Sequence, residues 1–170
     1  DSLGKGSPLV PNTAAASSTG LVVAPATLLR LYSAQLAYPP KAVTKPPFAA
    51  DSFADQVRGT AAGFAKAAAT QATFTQVHKV LPSSVYAVKQ ASGDALVFGV
   101  LERTDNVAVK SGQRVKTDGN KAYVLLSGKK AVTHKAISTT LEFVVFAVPR
   151  SSGKATLVAA REQFVAGSGS

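Results

Sequence analysis

The chain has 170 residues, of which 46% are hydrophobic and 16% are charged, a composition that excludes a wholly disordered segment. Its 19 Lys and Arg exceed its 9 Asp and Glu, so the formal net charge is +10 and anionic partners are favoured. The lack of cysteine excludes disulfides and thiolate nucleophiles, and no apolar run reaches the roughly 18 residues of a transmembrane helix.

The amino-terminal segment differs in composition from the rest of the chain. Residues 1–20 are small and polar and are interrupted by Pro and Gly, which is typical of a flexible tether. Patterns of regular structure begin after this segment. The sequence therefore predicts a tether at 1–20, a single domain at 21–166 and a short tail at 167–170.

Two helices are predicted near the start of the domain. Leu28, Tyr32 and Leu36 recur at helical spacing and predict a first helix that begins at Pro25. Ser52 and Asp55 form a capping box that opens a second helix. The apolar stripe of this second helix, which we expect to face a sheet, consists of Phe53, Val57, Ala61, Phe64 and Ala68.

Strand patterns follow the helices. The segment 139–148 (TTLEFVVFAV) carries the strongest of them, and the turn signal Asp118-Gly119 predicts a hairpin between strands at 113–117 and 121–126. Gly99 lies inside another predicted strand, 95–102, and indicates a bulge or bend. Further strands are predicted at 74–80, 84–90, 131–148 and 155–165.

The order of these elements predicts the fold class. Short turns between successive strands favour antiparallel pairing, because parallel pairs need long crossovers. The prediction is an α+β fold in which amino-terminal helices pack on a curved antiparallel sheet. By element order, this arrangement is similar to the cone of cystatin-like and nuclear-transport-factor-like domains.

The segment 139–148 is apolar on both faces over half its length. We expect the face with Leu141 and Phe143 to lie against the helices. The opposite apolar face would then need a cover, which could be the 37–50 linker, the amino-terminal segment or a second copy of the chain. The linker has few large apolar groups, so a second copy is favoured. The interface of the predicted symmetric homodimer consists of Val144, Phe146 and Val148.

Three stretches carry a resemblance to a known family. They are VVAPATLLRLYSAQL, FAADSFADQVR and VYAVKQASGDALVFGVL, and the last holds a hairpin from Tyr86 to Phe98. Together they resemble the C-terminal domain of an actinobacterial family of exported proteins and lipoproteins of unknown function, over roughly 21–165. The resemblance implies an extracytoplasmic location, either secreted or tethered to the cell envelope, and it implies no catalytic residues.

Four titratable residues are candidates for a pocket inside the predicted cone. They are Glu102 and Glu142, near the ends of strands, and the two histidines His78 and His134. Acids that converge in a buried pocket would have raised pKa values and would suit acid–base chemistry. The alternative interpretation is that each acid pairs with a base on a solvated face and that both histidines are partly exposed.

A basic stretch is a candidate binding surface. The few aromatic residues near it disfavour nucleic acid, which a sheet normally binds by stacking. An anionic lipid or polymer needs no such stacking, and protection of a sheet edge by lysines is the alternative interpretation. The stretch contains Arg103, Lys110, Arg114, Lys116, Lys121, Lys129, Lys130 and Lys135.

No nucleophile elbow, phosphate-binding loop, dinucleotide fingerprint or metalloprotease motif occurs in the sequence. An enzyme is therefore disfavoured, and no cofactor or metal is expected. The sequence favours a non-catalytic binding or scaffolding domain of the bacterial cell envelope that contacts an anionic polymer or a protein. The alternative is a small-ligand carrier or an enzyme with a pocket inside the cone.

Overall fold

The computed structural model describes residues 9–11 and 19–170. Its helices are α1 (Pro25–Gln35), α2 (Ser52–Ala68) and α3 (Lys121–Ser127), and a 3-10 turn spans Pro82–Ser84. The strands are β1 (Ala72–Val80), β2 (Tyr86–Lys89), β3 (Ala95–Val109), β4 (Val115–Lys116), β5 (Ala131–Val132), β6 (Lys135–Val148) and β7 (Thr156–Gly169).

The main sheet is antiparallel and open, with strand order β1-β3-β6-β7, and β2 pairs with the start of β3. The strands β4 and β5 form a separate two-stranded ribbon. The predicted α+β class is confirmed. The helices are not all amino-terminal, however, because α3 lies between β4 and β5.

The helix α1 packs on the inner face of the sheet. Leu28, Tyr32 and Leu36 are fully buried, which confirms the predicted stripe. The ring of Tyr32 makes edge-to-face contacts with Phe48 and Phe146, at centroid distances of 5.3 and 4.8 Å. These contacts join α1, the Pro-rich 37–50 segment and β6 into one core.

The N-cap of helix α2 lies one residue earlier than predicted. Asp51, rather than Ser52, is the N-cap, and its carboxylate accepts hydrogen bonds from the Ala54 N–H at 2.8 Å and the Tyr32 hydroxyl at 3.0 Å. The buried positions of α2 are Ala54, Val57, Ala61 and Ala68. Phe64 of the predicted stripe also faces the sheet, but it is 41% exposed and lines a cavity instead of joining the buried core.

The predicted strand at 121–126 is wrong, because these residues form α3. The Asn120 side chain accepts a hydrogen bond from the Tyr123 N–H at 3.0 Å and caps the helix. Gly128 ends it with a φ of 69°, a left-handed conformation that favours glycine. The strand β4 pairs with β5 instead, so Asp118-Gly119 does not form the predicted two-residue hairpin.

Several strand boundaries also differ from the predictions. The strand β3 runs through Val109 and pairs with β6 without a register shift at Gly99, so the predicted bulge there is wrong. Gly99 instead admits α1, since a Cβ at this position would lie 2.4 Å from Leu29 Cδ1. The predicted tail at 167–170 is part of the sheet, because β7 extends to Gly169.

The predicted 1–20 tether lies mostly outside the described residues. Within the described 9–11 segment, Leu9 forms a bridge with Val88 and the Val10 N–H donates to the Ala87 carbonyl at 2.9 Å. Val10 is buried. This part of the segment therefore adds to the β2 edge of the sheet.

The two faces of β6 are the reverse of the prediction. Val144, Phe146 and Val148 belong to the buried core beneath α1, so they are not available for an interface. The reason is the register with β3, which places them opposite Gly99, Val97 and Ala95 on the inner face. Phe143 lies on the outer face and is 41% exposed.

Candidate functional site

A cavity of about 550 Å³ lies between α2, the inner face of the sheet and the β4–α3 segment. Its size is within the range of small-molecule sites, about 300–1,000 Å³. Its polar lining includes Gln76, Arg103, Asp105 and Glu162. Its apolar lining includes Val57, Ala61, Phe64, Phe74, Val107, Val115, Tyr123, Ala136, Ile137 and Phe164.

Two contacts hold opposite walls of the cavity: one between aromatic rings and one hydrogen bond. Phe64 of α2 and Phe74 of β1 have ring centroids 5.0 Å apart. On the far side, the Tyr123 hydroxyl donates to the Ser168 carbonyl at 2.6 Å, which fixes α3 against β7. The cavity is therefore enclosed by elements that are themselves held to the sheet.

Arg103 is the centre of the charged group at the cavity base. Its guanidinium donates to Glu142 at 3.2 Å and also to Glu162, and it donates to the Thr140 hydroxyl at 3.2 Å. Its Nε lies 3.4 Å from Asp105 Oδ2. One cation thus faces three carboxylates, and removing it would leave the buried Glu142 without its guanidinium partner.

Behind Arg103, His78 and Glu142 form a fully buried pair. The His78 Nδ1 and Glu142 Oε2 atoms are 2.8 Å apart, and neither side chain is exposed. His78 Nε2 has no hydrogen-bond partner among the described residues. Neither residue lines the cavity, so this pair supports Arg103 rather than contacting a ligand.

Asp105 is one of two acids that line the cavity, with Glu162. Burial raises the pKa of its carboxyl, and this effect exceeds the opposing influence of Arg103 and His78. Its Oδ2 accepts from the Ser138 hydroxyl at 3.3 Å, whereas its Oδ1 has no partner among the described residues. This oxygen is buried from solvent and stays an unsatisfied acceptor beside the cavity.

The structure separates the four predicted pocket residues. His78 and Glu142 come together, as described above. Glu102 lies on the outer face, since it pairs in register with Lys79 and Leu141, so its predicted place in a pocket is wrong. His134 is exposed between β5 and β6, and its predicted place is also wrong.

Seven of the eight residues predicted for the basic surface are exposed, and Arg103 is half-buried. Arg103 is in the ion network of the cavity and not on the surface, because odd-numbered residues of β3 face inward. The other seven side chains are exposed around the β4–α3–β5 segment: Lys110, Arg114, Lys116, Lys121, Lys129, Lys130 and Lys135.

The sequence analysis missed Asp105 and Glu162 as site residues. A signal for Asp105 was present, since Leu101, Arg103, Asp105 and Val107 recur at a spacing of two and share one face of a strand. Glu162 gave no such signal, because its approach to Arg103 depends on a strand 59 residues further along the chain.

Comparison of the chain with protein-family models, curated proteins and solved structures found no match. Among the described residues, no group of three or more His, Asp or Glu side chains is placed to hold a metal ion. No helix in the described part of the chain has the length and apolar character needed to cross a membrane.

Proposed function

We propose that this protein binds a small, mainly apolar molecule in the cavity and that a polar end of the ligand meets Asp105 and Arg103. The observation that carries this proposal is the cavity of about 550 Å³ with an apolar wall and a compact charged base. An apolar pocket with a few convergent polar groups is the usual form of a ligand site.

The polar end of the ligand is further defined by the charges at the base. Arg103 already faces three carboxylates, so it has little capacity for a ligand anion. Asp105 Oδ1 is an unpaired acceptor. Because three carboxylates face one cation there, we propose a ligand whose polar end carries a hydroxyl or amine donor. Binding without turnover remains the proposal, and it corresponds to the small-ligand carrier that was the alternative interpretation of the sequence.

The test uses the uncharged fluorescent probe N-phenyl-1-naphthylamine. We expect saturable binding to the wild type and a loss of affinity of about tenfold or more in Thr60→Trp, because Thr60 is an exposed residue of α2 that lines the cavity. The matched control is Ala62→Trp, an exposed position of α2 that does not line it. Equal affinity in all three proteins would contradict the proposal.

Three wider expectations remain proposals. A cone-like arrangement similar to that of cystatin-like or nuclear-transport-factor-like domains would place the cavity inside the sheet's curvature. An extracytoplasmic location rests on the family resemblance alone. A homodimer is supported by the apolar outer face around Phe143, which replaces the predicted interface.

A further inference from the structure

The helix α3 presents two leucines to solvent. Leu125 is 83% exposed and Leu126 is 47% exposed. Tyr123 of the same helix is buried against the end of β7. Since successive helical residues are rotated by about 100°, anchoring Tyr123 to the sheet directs Leu125 to the opposite side. The high exposure of Leu125 thus follows from how the helix is attached, and Leu126, which is nearer to the side of Tyr123, is less exposed.

Unpaired positive charge surrounds these leucines along the chain. From residue 110 to residue 135 there are seven Lys and Arg, and Asp118 is the only acid. None of these seven cations is in an ion pair with a described residue. This segment therefore concentrates a large part of the molecule's net positive charge at one end.

Charge and apolar surface meet in a shallow groove on α3. This groove, of about 260 Å³, is lined by Asp118, Lys121, Val124, Leu125 and Lys130. The arrangement brings lysine side chains beside the most exposed leucine. An element with protruding leucines and adjacent cations is typical of proteins that bind the interfacial region of a membrane.

We propose that α3 and the lysines around it dock on a bilayer that contains anionic lipids. In this arrangement Leu125 and Leu126 enter the headgroup–acyl boundary while the cations contact the lipid headgroups. Each Lys or Arg near an anionic surface strengthens binding about fivefold. An anionic polymer in water would attract the lysines but would not explain the exposed leucines. A lipid surface accounts for both, so we favour it.

The docking surface is continuous with the cavity wall. Lys116, Thr117, Gly119 and Asn120, which lead into α3, all line the cavity. A protein docked through α3 would therefore hold the cavity close to the bilayer, where mainly apolar molecules are concentrated. This last step rests on the proposed function, whereas the docking itself does not.

The first experiment measures flotation with phosphatidylcholine vesicles, with or without phosphatidylglycerol. We expect the wild type to bind vesicles with phosphatidylglycerol and to dissociate as salt rises. Replacing Leu125 and Leu126 by Gln should lower binding at least about tenfold, given the apolar area removed. Replacing Lys121, Lys129 and Lys130 by Gln should lower it about a hundredfold.

Matched controls use exposed residues elsewhere on the surface. Leu9→Gln removes another leucine, which is 69% exposed. Replacing the exposed Lys41, Lys45 and Lys154 by Gln removes the same charge away from α3. Both controls should bind as the wild type does. A loss of binding in these controls equal to that in the α3 variants would overturn the proposal, because net charge or any exposed leucine would then explain binding without α3.

A second measurement does not depend on the stability of the α3 variants. Because the chain has no cysteine, Leu125→Cys provides a single attachment site for an environment-sensitive fluorophore. We expect a blue shift of emission with vesicles that contain phosphatidylglycerol. An unshifted spectrum would overturn the insertion of α3, and so would lysine-dependent binding that does not change in the Leu variants. Neither result would bear on N-phenyl-1-naphthylamine binding in the cavity.

Discussion

Asp105 shows how one residue connects stability with the cavity. Burial raises the pKa of its carboxyl, and Arg103 offsets this effect only in part. Folding therefore favours the protonated form of Asp105 more than the unfolded chain does. The cavity keeps an acid at its base at some cost in stability at neutral pH.

This cost predicts the pH dependence of Asp105→Asn. The wild-type contribution from Asp105 is most favourable below the ordinary pKa of 3.8 and is lost as pH rises through the raised folded-state value. The free energy of unfolding of Asp105→Asn, relative to the wild type, should therefore increase with pH over this window. Urea denaturation across a pH series measures it.

The control for this prediction is Asp118→Asn, which alters an exposed acid outside the cavity base. Its stability should follow the wild-type pH profile. Parallel profiles for Asp105→Asn and the wild type would show that burial does not raise the pKa of Asp105 in the folded protein.

At the scale of single residues, the sequence predicted candidates for the site but not the side chains that they contact. Glu142 was a candidate because it lies near the end of a predicted strand, and it is fully buried. Its partner His78 lies 64 residues away, and two strand registers bring the pair together. Glu102 was assigned to the wrong face, because neighbouring residues of a strand point to opposite sides. Candidate sites of this kind are predictable as residue types and not as contacts.

Gly99 of β3 lies directly against α1. Of the glycines that face a helix, it leaves the least room for a side chain. Gly99→Ala should destabilise the protein by about 1–3 kcal/mol, because its Cβ would lie 2.4 Å from Leu29 Cδ1 in a fully buried setting. Chemical denaturation is the measurement.

The matched control for Gly99→Ala is Gly63→Ala. Gly63 lies on the exposed side of α2, and an added Cβ there meets nothing within 4 Å. It should stabilise the protein by up to about 1 kcal/mol through helix propensity. A loss of stability at Gly63 equal to that at Gly99 would show that the α1 contact does not explain the requirement for glycine.

Elements with strong patterns were predictable, whereas α3 was not. The stripe of α1 and the alternation in β6 fixed both elements from local sequence alone. The segment 121–126 contains apolar residues that suit a strand equally well, and its helix depends on the Asn120 cap and on Tyr123 packing against β7. Tertiary contact decided between two locally acceptable structures.

At the scale of the whole molecule, the open sheet has one covered face and one exposed face. The outer face carries Phe98, Val100, Phe143 and Val145 in neighbouring register positions of β3 and β6. A contiguous apolar surface of this kind is seldom left bare on a monomer. The face opposite to the predicted one is therefore where association is expected.

Sedimentation tests this expectation with Phe143→Gln. The wild type should sediment as a dimer at tens of micromolar and the variant as a monomer, because a polar side chain at the centre of a symmetric interface is buried twice. Leu125→Gln is the control, since it changes an exposed residue on α3 and should leave the dimer intact. A monomeric wild type would rule out this interface.

The strand β7 has an outer edge that no other described strand of the main sheet covers. Long edges of this kind act as templates for strands of other molecules and lead to aggregation. The pairing of β7 with β6 shifts register twice, and Val158 and Val165 are the extra residues at these shifts. Each shift interrupts the row of backbone donors and acceptors, so an incoming strand would find only short matching segments. The two irregularities thus let the protein keep a 14-residue edge strand while limiting the growth of fibrils from it.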